Sequence, residues 1–288
     1  MIASSSARGA VLGLTAAFLW SLTGVSLRFV EAASSWQMIA WRAVIMGAVI
    51  AAYLVLRYRG GAVRAVLAIG RQGAIGGVVL GIGFTCYISA IQAATIANAS
   101  ILTALVPIAA ALIARLVLGE VLAPRTGLYA AGALVGVGVM VAEGIVVGGW
   151  AGNAFALGAT LCQSTFTVMM RGGRGVDMVP AIGVGCVVSF ALSAALADGL
   201  AVTPRDLGII AAVALISTLL GNVAFVLAAR HVAAGVLALL TMAEVVLSPL
   251  WASVFVGEQP TRLALVGGAI VIAAVLAQTL EAARRPAA

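Results

Sequence analysis

Stretches of about 20 mostly apolar residues follow one another along the whole of the 288-residue chain, separated by short segments that hold most of the charge. A bilayer core takes about 20 apolar residues per helix, so each stretch reads as a transmembrane span. Ten are found, near 9–30, 36–56, 73–93, 96–118, 126–142, 150–170, 178–197, 207–229, 232–256 and 263–281. The expected fold is therefore an all-α integral membrane bundle of ten transmembrane helices. Arg8 ahead of the first stretch has the general look of a signal peptide. With so many further spans behind it, that stretch is expected to remain as the first helix.

Composition excludes other classes. The chain is 64% hydrophobic and 9% charged, whereas a soluble domain carries about a quarter charged residues. A soluble enzyme, a nucleic-acid binder and a disordered protein are thereby ruled out. The net charge of +7 comes from 16 arginines without a lysine, and their placement reads as membrane orientation. With the N-terminus inside, Arg8, Arg57, Arg59, Arg64, Arg71, Arg115, Arg125, Arg171, Arg174, Arg230, Arg284 and Arg285 face the cytoplasm. Only Arg28, Arg205 and Arg262 face outward. The expectation is a multi-pass protein of the bacterial cytoplasmic (inner) membrane with both termini cytoplasmic. Cys86, Cys162 and Cys186 lie in apolar stretches and read as small core residues.

The chain repeats itself. A shift of 138 residues lays Tyr87 on Phe225, Leu102-Thr103 on Leu240-Thr241, and Gly119-Glu120 on Gly257-Glu258. A shift of 143 lays Gly9 on Gly152, Ser21 on Ser164 and Arg28 on Arg171. Each half, 1–143 and 144–288, then holds five spans. Five is odd, so corresponding helices cross the membrane in opposite directions. Inverted repeats are a device of secondary transporters, whose halves rock about a central site.

Each half also resembles a known domain. Trp20 in a small-residue-rich helix, Trp41-Arg42 early in the second span, Pro107 in a span closing on Leu118-Gly119-Glu120, and then Gly132-Ala133-Leu134 are similar to the EamA domain of the drug/metabolite transporter superfamily. Glu244, Gly257-Glu258 and Gly268-Ala269-Ile270 carry the likeness into the second copy. The resemblance implies two inverted EamA repeats exporting small metabolites or drugs, and it is strongest towards the bacterial aromatic amino acid exporters. Two departures bear on a shared chemistry of the halves: Glu244 is followed by Val245, with the proline at Pro249, and Gly185 stands near the counterpart position of Arg42.

Polar residues within spans should face the bundle interior. Thr241, Glu244, Ser248 and Trp251 share a helical face by spacing. Similar faces carry Thr160, Ser164 and Thr167 with Gln163 beside them, Thr218 and Asn222, and Ser100, Thr103 and Pro107. Tyr87, Trp20 and Thr23 complete a ring that is expected to line a wet cavity. The alternative is hydrogen bonding between helices, worth about 0.6–2 kcal/mol each. Two charges lie deep. Glu244 is near the middle of its span and Arg42 is a turn and a half into another. In one reading Arg42 pairs with Glu244 or Glu31. In the other, a zwitterionic substrate sets its carboxylate on Arg42, its ammonium on Glu244, and its side chain against Trp20, Tyr87 or Trp41. Glu244 could also carry a coupling proton. Pro107 and Pro249 read as kinks or hinges. Gly119, Glu120, Gly257 and Glu258 read as helix ends that fix the fold, with a bridge from Glu120 to Arg115 or Arg125.

The substrate partners expected are amino acids or related small molecules, within the lipid bilayer and without nucleic acid, handled by a monomer. Without a P-loop, a His-Glu-x-x-His motif or a Gly-x-Ser-x-Gly elbow, neither ATP, metal, other cofactor nor enzymatic activity is expected. A lipophilic-cation exporter is the alternative within transport. An ion channel, the rival class, would want symmetric polar rings and an oligomer.

Overall fold

A computed structural model describes residues 5–27, 29–93, 105–120, 123–141, 150–257 and 262–284. Its helices are α1 (Ser5–Leu27), α2 (Ser35–Tyr58), α3 (Ala62–Ala68), α4 (Gly70–Ala93), α5 (Val106–Leu118), α6 (Pro124–Val141), α7 (Trp150–Gly172), α8 (Val179–Leu196), α9 (Pro204–Ala212), α10 (Leu220–Ala228), α11 (Ala234–Thr241), α12 (Ala243–Val256) and α13 (Arg262–Arg284). A π-helical stretch, Val213–Leu219, joins α9 to α10 as one rod. A single residue, Met242, separates α11 from α12. The rods coincide with the ten sequence spans, and the described residues contain no strand. The fold is the all-α, ten-span, two-repeat architecture that the sequence implies.

Local chemistry sets the ends of the rods. Ser34 caps α2 and forms a capping box with Gln37, so two otherwise orphaned amides are satisfied reciprocally. Thr203 caps α9 by accepting from the Asp206 amide, and Pro204 occupies its first turn. Pro107 likewise lies in the first turn of α5. Within α5 a first-turn amide has no intrahelical partner, so the proline there removes no bond of that helix. Pro249 does lie within a helix, α12. Gly119 and Gly257 end α5 and α12 with φ of +69° and +75°, a left-handed conformation that only glycine adopts freely. The two halves thus stop corresponding spans with the same backbone device.

Packing follows the repeat. The third span (α4) packs on the sixth (α7) and seventh (α8), and the eighth (the π stretch and α10) packs on the first (α1) and second (α2). The fourth (α5) packs on the sixth (α7), and the ninth (α11–α12) on the first (α1). Adding or subtracting five from each span number carries one set of contacts onto the other. The pairs α2–α8, α6–α13 and α5–α11 map onto themselves. Close approach is made by small residues: a Cβ on Gly77 would lie 2.6 Å from the Ala181 carbonyl, and one on Gly136 would lie 2.7 Å from that of Gly267.

The inversion is also visible directly. The Ala234 amide, at the start of the ninth span, donates to Glu120 Oε2 at 3.2 Å. Gly257 closes the same span, about 35 Å away at about 1.5 Å rise per residue. The end of the fourth span and the end of the ninth therefore lie on opposite faces of the bundle.

Candidate functional site

On α4, Leu80, Phe84 and Tyr87 are spaced four and three apart and share a face. Leu80 is buried against α8, while Ile75, Val78 and Ile82 on the opposite face are exposed. Tyr87 itself is 46% exposed. Glu244 lies within electrostatic reach of Tyr87. One turn along α4, the Arg42 guanidinium lies over the Phe84 ring at 4.3 Å from its centroid. Around Arg42, a narrow niche is lined by Met46, Leu80, Phe84, Ile182, Cys186 and Ser189.

Among the described residues, neither Arg42 nor Glu244 has an ion-pair partner. The pairing of Arg42 with Glu31 is not seen, because Glu31 reaches Arg205, in the first turn of α9, at 2.8 Å. Nor does Arg42 pair with Glu244. The first sits on α2 against α4 and α8, the second on α12 against α1 and α13. What links them is the Phe84–Tyr87 turn. Glu244 occupies the first turn of α12, just after the break at Met242, where i→i−3 hydrogen bonds tighten the chain. A helix N-terminus favours a carboxylate, so the break gives a mid-span negative charge an electrostatic reason to be there.

Behind this face lies an aromatic stack. Phe166 and Phe225 are parallel at 5.4 Å, and Trp20 tilts onto Phe225 at 5.2 Å. Trp20 can approach because residue 221 is glycine: a Cβ there would lie 2.5 Å from the indole. On the same rod as Phe225, Thr218 Oγ1 and Asn222 Nδ2 are buried without a hydrogen-bond partner among the described residues.

Several residues expected to line a cavity are otherwise engaged. Thr160, Ser164, Thr167 and Thr241 donate to carbonyls three or four residues back in their own helices, the usual alternative for a hydroxyl in an apolar helix. Ser248 and Trp251 turn to α1, where the Trp251 indole donates to Ser21 Oγ at 2.8 Å. The Trp41 indole donates to the Leu200 carbonyl at 2.8 Å, tying α2 to the loop before α9. Gln163 is half-buried on α7. Ser100, Thr103 and Glu258 lie outside the described residues. The structure thus gathers Arg42, Tyr87 and Glu244 about one turn of α4, sets Trp20 and Asn222 at the aromatic stack, and places Trp41 elsewhere.

The arginine-rich face holds a network that the sequence pattern did not reveal. Glu120 pairs with Arg171 at 2.7 Å, not with Arg115 or Arg125, because the ends of α5 and α7 meet there. Arg171 also donates to the Ala229 and Arg230 carbonyls at the end of α10. Arg230 reaches the Val176 carbonyl and lies 3.9 Å from Asp177, which accepts from the Tyr53 and Tyr58 hydroxyls. Burial alone would raise the Asp177 carboxyl, but the two tyrosines, the Val179 amide and Arg230 outweigh it and hold it below its ordinary value. His231 is held below its ordinary value by burial and by the charges of Arg8, Arg230 and Arg171. The signal for Arg171 was its alignment with Arg28 in the repeat.

A sequence model of the EamA-like transporter family matches residues 7–142 and again 150–279. The chain belongs to the EamA-like transporter family, within the drug/metabolite transporter superfamily. It is therefore a multi-pass membrane transporter. A solved crystal structure of a protein 22% identical to it superposes with a TM-score of 0.79, covering 96% of this chain and 99% of that one. That likeness shows the fold. No curated protein sequence matches.

Proposed function

We propose that this EamA-like transporter is a secondary exporter of small zwitterionic metabolites, amino acids foremost, working by alternating access. The observation that supports the reading is the arrangement about α4: two deep opposite charges without an ion-pair partner among the described residues, Arg42 over Phe84 and Glu244 within electrostatic reach of Tyr87, with one helical turn between the two rings. A charge near the bilayer centre costs about 3 kcal/mol even on the gentlest scale, so each invites a counter-charge from a ligand. An α-carboxylate suits Arg42, an ammonium suits Glu244, and an apolar side chain suits the rings of Tyr87, Phe84 and Trp20. An aromatic amino acid fills all three places. We place the protein as a monomer in a bacterial inner membrane, with the arginine-rich face and both termini cytoplasmic, on the strength of the arginine asymmetry.

Counterflow in proteoliposomes, with and without a pH gradient, tests this against a panel of amino acids and cationic dyes. Amino acids should exchange, and Arg42→Ala and Glu244→Gln should each abolish exchange while leaving expression and melting intact. Normal transport by both well-expressed variants would end the proposal. Exchange of dyes alone, lost in Glu244→Gln but kept in Arg42→Ala, would establish the second reading, a lipophilic-cation exporter. A carboxylate with an aromatic ring within its electrostatic reach, Glu244 with Tyr87, favours that reading too.

A further inference from the structure

At the end of the second span the chain makes an elbow. α2 stops at Tyr58, a 3-10 turn covers Arg59–Gly61, and the short α3 folds back so that Ala62, Val63, Val66 and Leu67 face Ala51, Leu54 and Val55 of α2. Between them runs a groove of about 310 Å³ with a wholly aliphatic lining. Val55, Leu56, Val63 and Leu67 are exposed, as expected of a surface against lipid tails. Charge brackets this groove. Arg57 and Arg59 stand at its α2 end, Arg64 within α3 and Arg71 at the start of α4, all four exposed. Between Glu31 and Glu120 the sequence contains neither Asp nor Glu. The nearby Asp177 is already held by Tyr53, Tyr58 and Arg230. Among the described residues, none of Arg57, Arg59 and Arg64 forms an ion pair.

An apolar trough ending in uncompensated arginines at the end of a span matches one kind of molecule in both its parts. We propose that the α2–α3 elbow binds an anionic phospholipid, one acyl chain lying in the groove and the phosphodiester resting on Arg57, Arg59 and Arg64. Free phosphate would use the arginines and leave the groove unexplained. A neutral phospholipid would use the groove and leave the arginines unexplained. Arg59 offers an unusually clean test. It is the one non-glycine residue with positive φ (48°) among those described, so glycine in its place removes the charge while relieving backbone strain.

The experiment is native mass spectrometry of the full-length, delipidated protein with dioleoyl phosphatidylglycerol, dioleoyl phosphatidylcholine and glycerol 3-phosphate. Phosphatidylglycerol should bind at least about 10-fold more tightly than phosphatidylcholine. Arg59→Gly and Arg64→Gln should each weaken phosphatidylglycerol about 5-fold, the share of one interfacial arginine, and leave phosphatidylcholine unchanged. Val63→Trp, which fills the groove and keeps every charge, should weaken both lipids. Equal binding of the two lipids would overturn the proposal, as would arginine variants that retain wild-type preference. Glycerol 3-phosphate competing as strongly as the whole lipid would also overturn it, leaving a simple anion site. Melting of Arg59→Gly at or above the wild-type temperature separates lost binding from lost fold.

Discussion

The two ends of the bundle are fastened by different chemistry. On the arginine-rich face, the halves meet through side chains: Glu120 of one grips Arg171 of the other, whose guanidinium also bonds the Ala229 and Arg230 carbonyls just after α10. On the opposite face, Asp206 is 1% exposed and its carboxylate accepts the backbone amides of Glu31, Ala32 and Ala33. Gln37 and Trp41 add bonds to carbonyls of Gly199, Ala201 and Leu200. A carboxylate bound to three consecutive amides fixes a loop in one shape. A bridge between two side chains can part and re-form without remaking any backbone. The difference teaches that one end is built as an anchor and the other as a clasp, although both join the same two halves.

Asp206→Ala should break the anchor and lower the melting temperature more than any other single substitution at either end. Asp206→Asn, which keeps one acceptor oxygen, should recover part of it. Glu120→Ala comes next, at about 1–2 kcal/mol, because Arg171 keeps its two carbonyl partners but loses its counter-charge in a site where its side chain is 13% exposed. A double-mutant cycle with Arg171→Gln should show coupling between the two. Gly119→Ala and Gly257→Ala should each cost about 1 kcal/mol. Unequal costs would mean that the repeat's shared backbone turn is not shared energetically. Arg205→Gln should change stability by less than about 0.5 kcal/mol, since its bridge to Glu31 is 63% and 66% exposed. If it matched Glu120→Ala, the distinction between the two ends would fail.

Acid should reach the clasp end in two steps. His231 resists protonation in the folded protein, so stability is full above its ordinary value of 6.5 and is lost as pH falls below it. Asp177, also depressed, loses its contribution as pH falls below 3.8. Melting curves between pH 8 and pH 3 check both, with His231→Gln removing the first step only.

Much of the fold was legible because bilayer physics leaves few choices. Apolar length gave the spans, and the paired Gly-Glu gave the repeat and its inversion. The site was less legible. Spacing could not say that Thr160, Ser164 and Thr241 would turn their hydroxyls to their own backbones. A hydroxyl's choice between neighbour and carbonyl depends on packing that spacing does not encode. The break at Met242 has no glycine or proline to announce it, so the position of Glu244 at a helix start emerged only from the backbone.

The interleaving of the halves has a consequence for how such a chain is made. Nearly every broad contact surface of spans one to five is completed by a span from six to ten. During synthesis the earlier helices therefore enter the bilayer with their mates still untranslated. Gly77 and Gly81 stay without the seventh span, α6 without the tenth, and Glu120 without Arg171. A ribosome stalled midway would leave separate rods adrift among lipids in place of half a machine. Quality control that clears such fragments would be acting on missing neighbours.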